Sequence, residues 1–418
     1  MRKTMITLIA ILLGTGLIAC GTTQPTTTVT TPTTVDTENF IEINSIADLQ
    51  GLAMNKSYRL MQDLDLEGIE WTPLGSFEEP YLGIFDGNNH TLSNLTITQR
   101  NTSFNGLFAH LSGSVSDLEI RDFTIAYTAQ FLTYAGGLAG YLSGDVDNVA
   151  VSGTITLVNN TSNTYAGLLV GAVVAKVTST MTADAFVANE ITGVSASGSV
   201  DIDGKNFVYV GGLAGKIHNS RVERAVVEAD IRVTAQNYRI YAGGVVGHHY
   251  GGLLIGYEAI VTDSQIPLST IFANTTVEVT IAGIQASVGG FAGFSQYGVY
   301  EDIIAISNLS LAGTKLLAGM FIGESWNGDW QNILATGQIA MTSQADQVAV
   351  LDSLAAFANE PTTVTNAFHY VAAPSALTNA YGTPATLAEL QDQSWYEGWL
   401  DWETSFMSLA ELAAFFGE

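Results

Sequence analysis

Apolar and small polar residues alternate along most of this chain in short stretches. Around Val149-Ala150-Val151 and Thr154-Ile155-Thr156-Leu157 the alternation has period two, the pattern of a strand buried on one face. A glycine motif punctuates these stretches. Gly136-Gly137-Leu138-Ala139-Gly140 returns as Gly167-Leu168-Leu169-Val170-Gly171, Gly211-Gly212-Leu213-Ala214-Gly215, Gly243-Gly244-Val245-Val246-Gly247, Gly289-Gly290-Phe291-Ala292-Gly293 and Gly319-Met320-Phe321-Ile322-Gly323, with Gly106-Leu107-Phe108 before them. Its spacing is about 30 residues, or about 45 where something is inserted, and a fixed period of that size marks a stacked repeat. About ten residues after each glycine motif comes an apolar-x-polar-apolar pattern: Val115-Ser116-Asp117-Leu118, Val146-Asp147-Asn148-Val149, Val222-Glu223-Arg224-Ala225, Tyr300-Glu301-Asp302-Ile303 and Trp330-Gln331-Asn332-Ile333.

Each repeat thus offers two or three short strands that cannot bury their apolar face alone. Coils must stack, forming long parallel sheets with a rise of about 4.8 Å per coil. Asp117, Asn148, Asp302 and Asn332 predict a polar corner ladder interrupted by Arg224; the alternative is a row of catalytic carboxylates. Near the start, Ile46, Leu49 and Leu52 stand at helical spacing behind Ser45, with Asp48 three residues on, which predicts a short capping helix. Leu387 to Trp402 and Ser408 to Phe416 read as two amphipathic pieces and predict a second cap. The expected fold is all-β, a parallel solenoid closed by short helical N- and C-terminal caps.

The ends and the charge set the address. Arg2 and Lys3 precede an apolar run from Met5 to Gly16, the layout of a secretory signal and too short to span a bilayer. Leu17-Ile18-Ala19-Cys20 resembles a bacterial lipobox, which implies a signal peptide over 1–19 and a lipidated Cys20 as the membrane contact; the alternative is an ordinary signal peptide. Cys20 is the only cysteine, so no disulfide forms within the chain. Residues 20–37, rich in Thr and Pro, predict a disordered tether of roughly 60 Å at full stretch. An N-terminal cap and first coils follow over 38–100, the repeats over 101–340, and the last coil and C-terminal cap over 341–418. With 40 acidic against 14 basic residues the formal charge is −26, which argues against nucleic acid as a partner.

Asp63-Leu64-Asp65-Leu66, Trp71-Thr72-Pro73-Leu74-Gly75, Phe85-Asp86-Gly87-Asn88-Asn89-His90-Thr91-Leu92 and Asn94-Leu95-Thr96-Ile97, followed by the glycine motifs, resemble bacterial surface proteins with GLUG-motif repeats over about Phe40 to Ile339. The resemblance implies a right-handed parallel β-helix displayed outside the cell, in proteins regarded as adhesins or surface-binding modules. Some relatives add a peptidase domain, but this chain has no HExxH signature.

Two insertions, about Ala172 to Glu190 and about His248 to Pro267, fall at the same place in the repeat and two coils apart. They predict one protruding contact face for a protein or glycan ligand, with His248, His249, Tyr250 and Tyr257 as anchors; alternatively they are tolerated excursions. The six histidines show no metal-ligand spacing, and Asp201-Ile202-Asp203-Gly204 is only a fragment of a calcium loop, so no cofactor or metal is expected. The expectation is a non-catalytic surface module. Its rivals are a polysaccharide-acting β-helix enzyme using Asp117, Glu119, Asp145 or Asp147, and a passive coat protein. Oligomeric state is not readable.

Overall fold

One repeat makes one coil. The structure, a computed structural model, describes residues 36–99, 102–175, 187–251, 253–255, 258–260, 266–313, 315–342, 348–352, 355–371 and 383–384. Three strands recur in each coil. A short middle strand (Thr133–Ala135, Thr164–Ala166, Val208–Gly211, Arg239–Gly243, Gln285–Gly289) leads through the glycine motif into a return strand (Ala139–Leu142, Val170–Val174, Ala214–His218, Val246–Tyr250). A long strand follows: Asp145–Asn159, Asn189–Gly204, Ser220–Ala235, Pro267–Ile281. In the later coils return and long strands fuse, as in Ala292–Gly313 and Ile322–Thr342.

Among the described residues the coils stack in parallel, in register apart from local shifts such as those at Val151/Gly153 and Asp86/His90. Val146 pairs with Val115 on one side and Ile191 on the other, and the column continues through Val222, Leu268, Tyr300 and Trp330. Alternation along each strand sends these side chains inward, so one apolar cluster runs from Ile43 to Ala335. The fold is therefore a parallel β-helix, as the repeats predict. Its register also confirms that both insertions leave the coil at the same point, between return and long strand.

At the N-terminal end the first strand is Asp36–Ile43, starting two residues inside the predicted tether. Helix Ile46–Gln50 covers the first coils: Ser45 accepts from the Asp48 amide and donates to the Asp48 carboxylate at 2.7 Å, and Leu49 is buried. The predicted C-terminal helical cap lies outside the described residues, as do the signal segment and Cys20.

Candidate ligand-binding surface

Every coil turns at the polar column, and the turn explains the residues there. Asp117, Asn148, Arg224, Thr270, Asp302 and Asn332 all have φ between 51° and 57°, and Gly193 has 61°. That left-handed bend is easy for Gly, Asn and Asp and costly for a β-branched residue. Stacking then lets the amide of one coil donate to the carboxylate of the last: Asn148 Nδ2 to Asp117 Oδ1 at 2.6 Å, and Asn332 Nδ2 to Asp302 Oδ1 at 2.8 Å. The acids offered for catalysis are engaged in the same way. Asp145 accepts from the Glu190 amide, Asp147 from the Thr192 hydroxyl, and Glu119 takes Arg121 on both oxygens as well as the Thr91 hydroxyl. Polar neighbours depress the Glu119 carboxyl, foremost the hydrogen bond from Arg121 on the same strand and then that from Thr91 of the adjoining coil. Asp145, Asp147 and, through Thr91, Glu119 staple coil to coil.

The glycine motif does something different. It folds the middle strand back so that the corner points into the core and meets the long strand opposite. A Cβ on Gly244 would lie 2.0 Å from the Gly290 carbonyl oxygen and 2.3 Å from Thr275 Oγ1; one on Gly290 would lie 2.1 Å from the Met320 carbonyl oxygen. Only glycine lets the corner approach so closely. On the outside of that corner the middle and return strands face each other across a cleft. Aromatic rings fill it: Phe77, Phe104, Tyr134, Tyr165, Tyr209 and Tyr241 stack with centroids 4.5 to 5.2 Å apart, one ring per coil. Burial raises the Tyr134 and Tyr209 hydroxyls well above their ordinary range and Tyr141 to about 12. With ring faces spent on one another, this ladder is a half-buried stack on the flank of the apolar core, exposed at Phe77. The Tyr-x-Gly that opens four of the glycine motifs, at Tyr134, Tyr165, Tyr209 and Tyr241, was its signal in the sequence.

Three of the predicted anchors are taken up by the ring stack or buried, which corrects their placement on an insertion loop. All of His248, His249 and Tyr250 lie on the return strand Val246–Tyr250, not on an insertion loop. His248 faces the aromatic cleft and stacks on Phe294 at 4.9 Å. His249, its neighbour, points the other way and is fully buried, bonded through Nδ1 to the Tyr300 hydroxyl at 2.8 Å. Tyr250 is buried, edge-on to His218 at 4.7 Å. Strand alternation and the cover of the next coil, not the loop, decide where these rings go. Tyr257 lies outside the described residues; near it the insertion forms an antiparallel hairpin, Leu253–Ile255 with Glu258–Ile260.

Hydrogen-bonding groups left unused are found instead on the outer face of the long strands. Opposite the inward corner these strands kink, with Gly198 at φ 135°, and the kink opens an axial trough. Two adjoining depressions of about 460 and 570 Å³ share Ser199, Asp230 and Thr276. The floor is backbone at Gly198, Ala229 and Thr275. One wall carries Ser197, Glu228 and Asn274, the other Thr154, Ser199, Asp230 and Thr276, each set in register from coil to coil. Beyond the second wall Arg232 lies between Asp201 at 3.9 Å and Glu278 at 3.1 Å. Ser199, Glu228, Asp230, Asn274 and Thr276 make no hydrogen bond to another side chain among the described residues. Four carboxylates stand against one guanidinium. Sequence reasoning missed this site because every residue in it is an ordinary polar residue of an alternating strand.

The match to a known family motif falls on one coil. The GLUG motif family matches residues 132–156, which contain a middle strand, the glycine corner, a return strand and the polar bend. Halomucin of Haloquadratum walsbyi is 36% identical over 91 residues, 18% of this chain and 1% of halomucin, so the match touches a small fraction of that protein's length. Among solved structures, a candidate immunoglobulin A1 protease of Bacteroides ovatus superimposes with a TM-score of 0.44 and 16% identity, over 80% of this chain and 78% of that one. The chain is a parallel β-solenoid that carries a GLUG motif in its inward corner.

Proposed function

We propose that the chain is a lipid-anchored protein of the bacterial cell surface that works as a non-catalytic binding module, an adhesin contacting host, matrix or glycan material. The observation that carries this reading is the trough: an open, polar concavity across several coils whose side chains are not consumed by the stacking that engages other polar groups. A lipobox-like Leu17-Ile18-Ala19-Cys20 and the Thr- and Pro-rich segment after it support anchoring at Cys20, where two acyl chains hold a protein on a membrane far longer than one. Labelling cells with a fatty-acid analogue tests the anchor: the label enters the wild-type protein and not Cys20→Ser, which appears in the medium. Cells lacking the protein lose attachment to matrix or glycan surfaces while their envelope stays intact. Loss of envelope integrity with normal attachment would instead identify a coat protein.

One observation favours a second reading, a polysaccharide-acting enzyme. Asp230 stands one coil and two residues from both Asp201 and Glu278, a Cα separation of about 8 Å from strand geometry. Paired carboxylates in an open groove serve glycoside hydrolysis. Here Arg232 already pairs with Asp201 and Glu278, which leaves Glu228, two residues along the strand on the opposite wall, as the unpaired acid nearest Asp230. Release of reducing ends from a polysaccharide by the wild type, abolished in Asp230→Asn, would establish the enzyme.

A further inference from the structure

We infer that the trough binds a neutral, linear glycan lying parallel to the solenoid axis; this deepens the binding-module reading and rests on it. Direction comes from the walls. One wall runs across the four consecutive long strands Asp145–Asn159, Asn189–Gly204, Ser220–Ala235 and Pro267–Ile281, a length of about 14 Å at a strand spacing of ~4.8 Å, and the other across the last three of them. That spacing is comparable to the advance of one sugar ring along an extended chain, so successive rings meet the same set of groups. Ser199, Asp230 and Thr276 follow one another on one wall, and Glu228 and Asn274 on the other. A floor of backbone at Gly198, Ala229 and Thr275 lets a flat chain settle between them.

Charge selects the glycan. A carboxylate accepts two hydroxyl hydrogen bonds, and Glu228 and Asp230 are both exposed and free to do so. The same carboxylates, with Asp201 and Glu278, repel uronic acid and sulfate groups, and the single Arg232 is held by Asp201 and Glu278. Affinity then comes from hydrogen bonds replacing water along the walls, which makes it modest per sugar and dependent on chain length.

The test uses the full chain in detergent micelles, with titration calorimetry against cellohexaose, mannohexaose and hexagalacturonate. A neutral hexasaccharide should bind at least about tenfold more tightly than hexagalacturonate, and Asp230→Ala and Ser199→Trp should each weaken it about tenfold. Both positions are on the outer face, so thermal unfolding should not change. Unaltered binding in both variants, a preference for hexagalacturonate, or no neutral hexasaccharide bound would each overturn the assignment. Cell attachment separates this from the function above. If Ser199→Trp cells attach like wild type while deletion cells do not, the adhesin stands and the trough is not its ligand site. If the trough variants lose hexasaccharide binding and deletion cells attach normally, the glycan site stands and the adhesin falls.

Discussion

The early and late coils put different residues into the same place. On the return strands the inward column reads Leu111, Leu142, Val173 and Ile217 through the early coils, then His249, Ser295 and Ser325. Across the corner the long strands begin with Val115, Val146, Ile191 and Val222, then Leu268, Tyr300 and Trp330. Where the return strand shrinks to serine, the long strand grows to tyrosine or tryptophan. Volume is conserved while polarity is not. Tyr300 donates to Ser295 Oγ at 2.7 Å and meets His249 Nδ1, whereas His249 Nε2 and Ser325 Oγ are buried without a hydrogen-bond partner among the described residues. A coil tolerates polar groups in its core where the void is filled, and most of the cost is offset where those groups are hydrogen-bonded.

The sharpest way to break both halves is at the corner they share. Gly244→Ala drives a methyl group into the Gly290 carbonyl oxygen at 2.0 Å, and backbone on both sides is fixed by neighbouring coils. The expected loss is at or above about 5 kcal/mol, seen as failure to fold or as a collapsed urea midpoint. Gly137→Ala, in an early coil, meets ring atoms of Phe123 at 2.6 Å instead and should cost less, since a side chain can give way. Equal losses would show that the corner, not its neighbour, sets the limit.

Volume exchange predicts a specific rescue. Trp330 is fully buried, and Trp330→Ala should cost about 3–5 kcal/mol. Adding Ser325→Leu should return at least about 1 kcal/mol of it, whereas Ser325→Leu alone overpacks the site and destabilises. A double-mutant cycle by chemical denaturation measures the coupling; additive losses would mean that the two positions do not trade volume.

Histidine distinguishes the halves by pH. Burial pulls His218, His248 and His249 down to about 3. Their neutral forms are favoured by folding, so the stability they contribute is complete above the ordinary histidine value near 6.5 and is lost as pH falls toward 3. For fully buried His249 the loss between pH 7 and 5 is on the order of 2 kcal/mol. His249→Leu, the residue used at this position in early coils, should flatten the fall in thermal midpoint over that interval. An unchanged slope would place the acid sensitivity elsewhere.

These contrasts also show what the chain made legible. The polar bend could be read because Asp117, Asn148, Asp302 and Asn332 are residues that the left-handed bend itself selects, and the corner because no other residue fits where Gly244 stands. Backbone demands of that kind repeat with the coil. The fate of His248 and His249 depended on strand phase: one residue of shift exchanges cleft for core. The trough was hidden for a third reason, since Ser199, Asp230 and Thr276 are adjacent only through register across strands and look like any solvent-facing positions.

The smallest predicted effect concerns the one β-branched residue at the polar bend. Thr270 holds φ at 51°, where its Cβ is crowded and where the early coils place Asp, Asn or Gly and one Arg. Replacing it with asparagine keeps the size and removes the branch, and relief of the left-handed strain is worth about 1 kcal/mol. Thr270→Asn should therefore raise the urea midpoint with no change in slope, a gain in a region where most substitutions lose. The converse, Asn148→Thr, imposes the same branch on an early coil and also removes the amide that donates to Asp117, so its loss should exceed the gain at Thr270. If the two changes prove equal and opposite, the ladder hydrogen bond adds nothing measurable and backbone conformation alone governs the column.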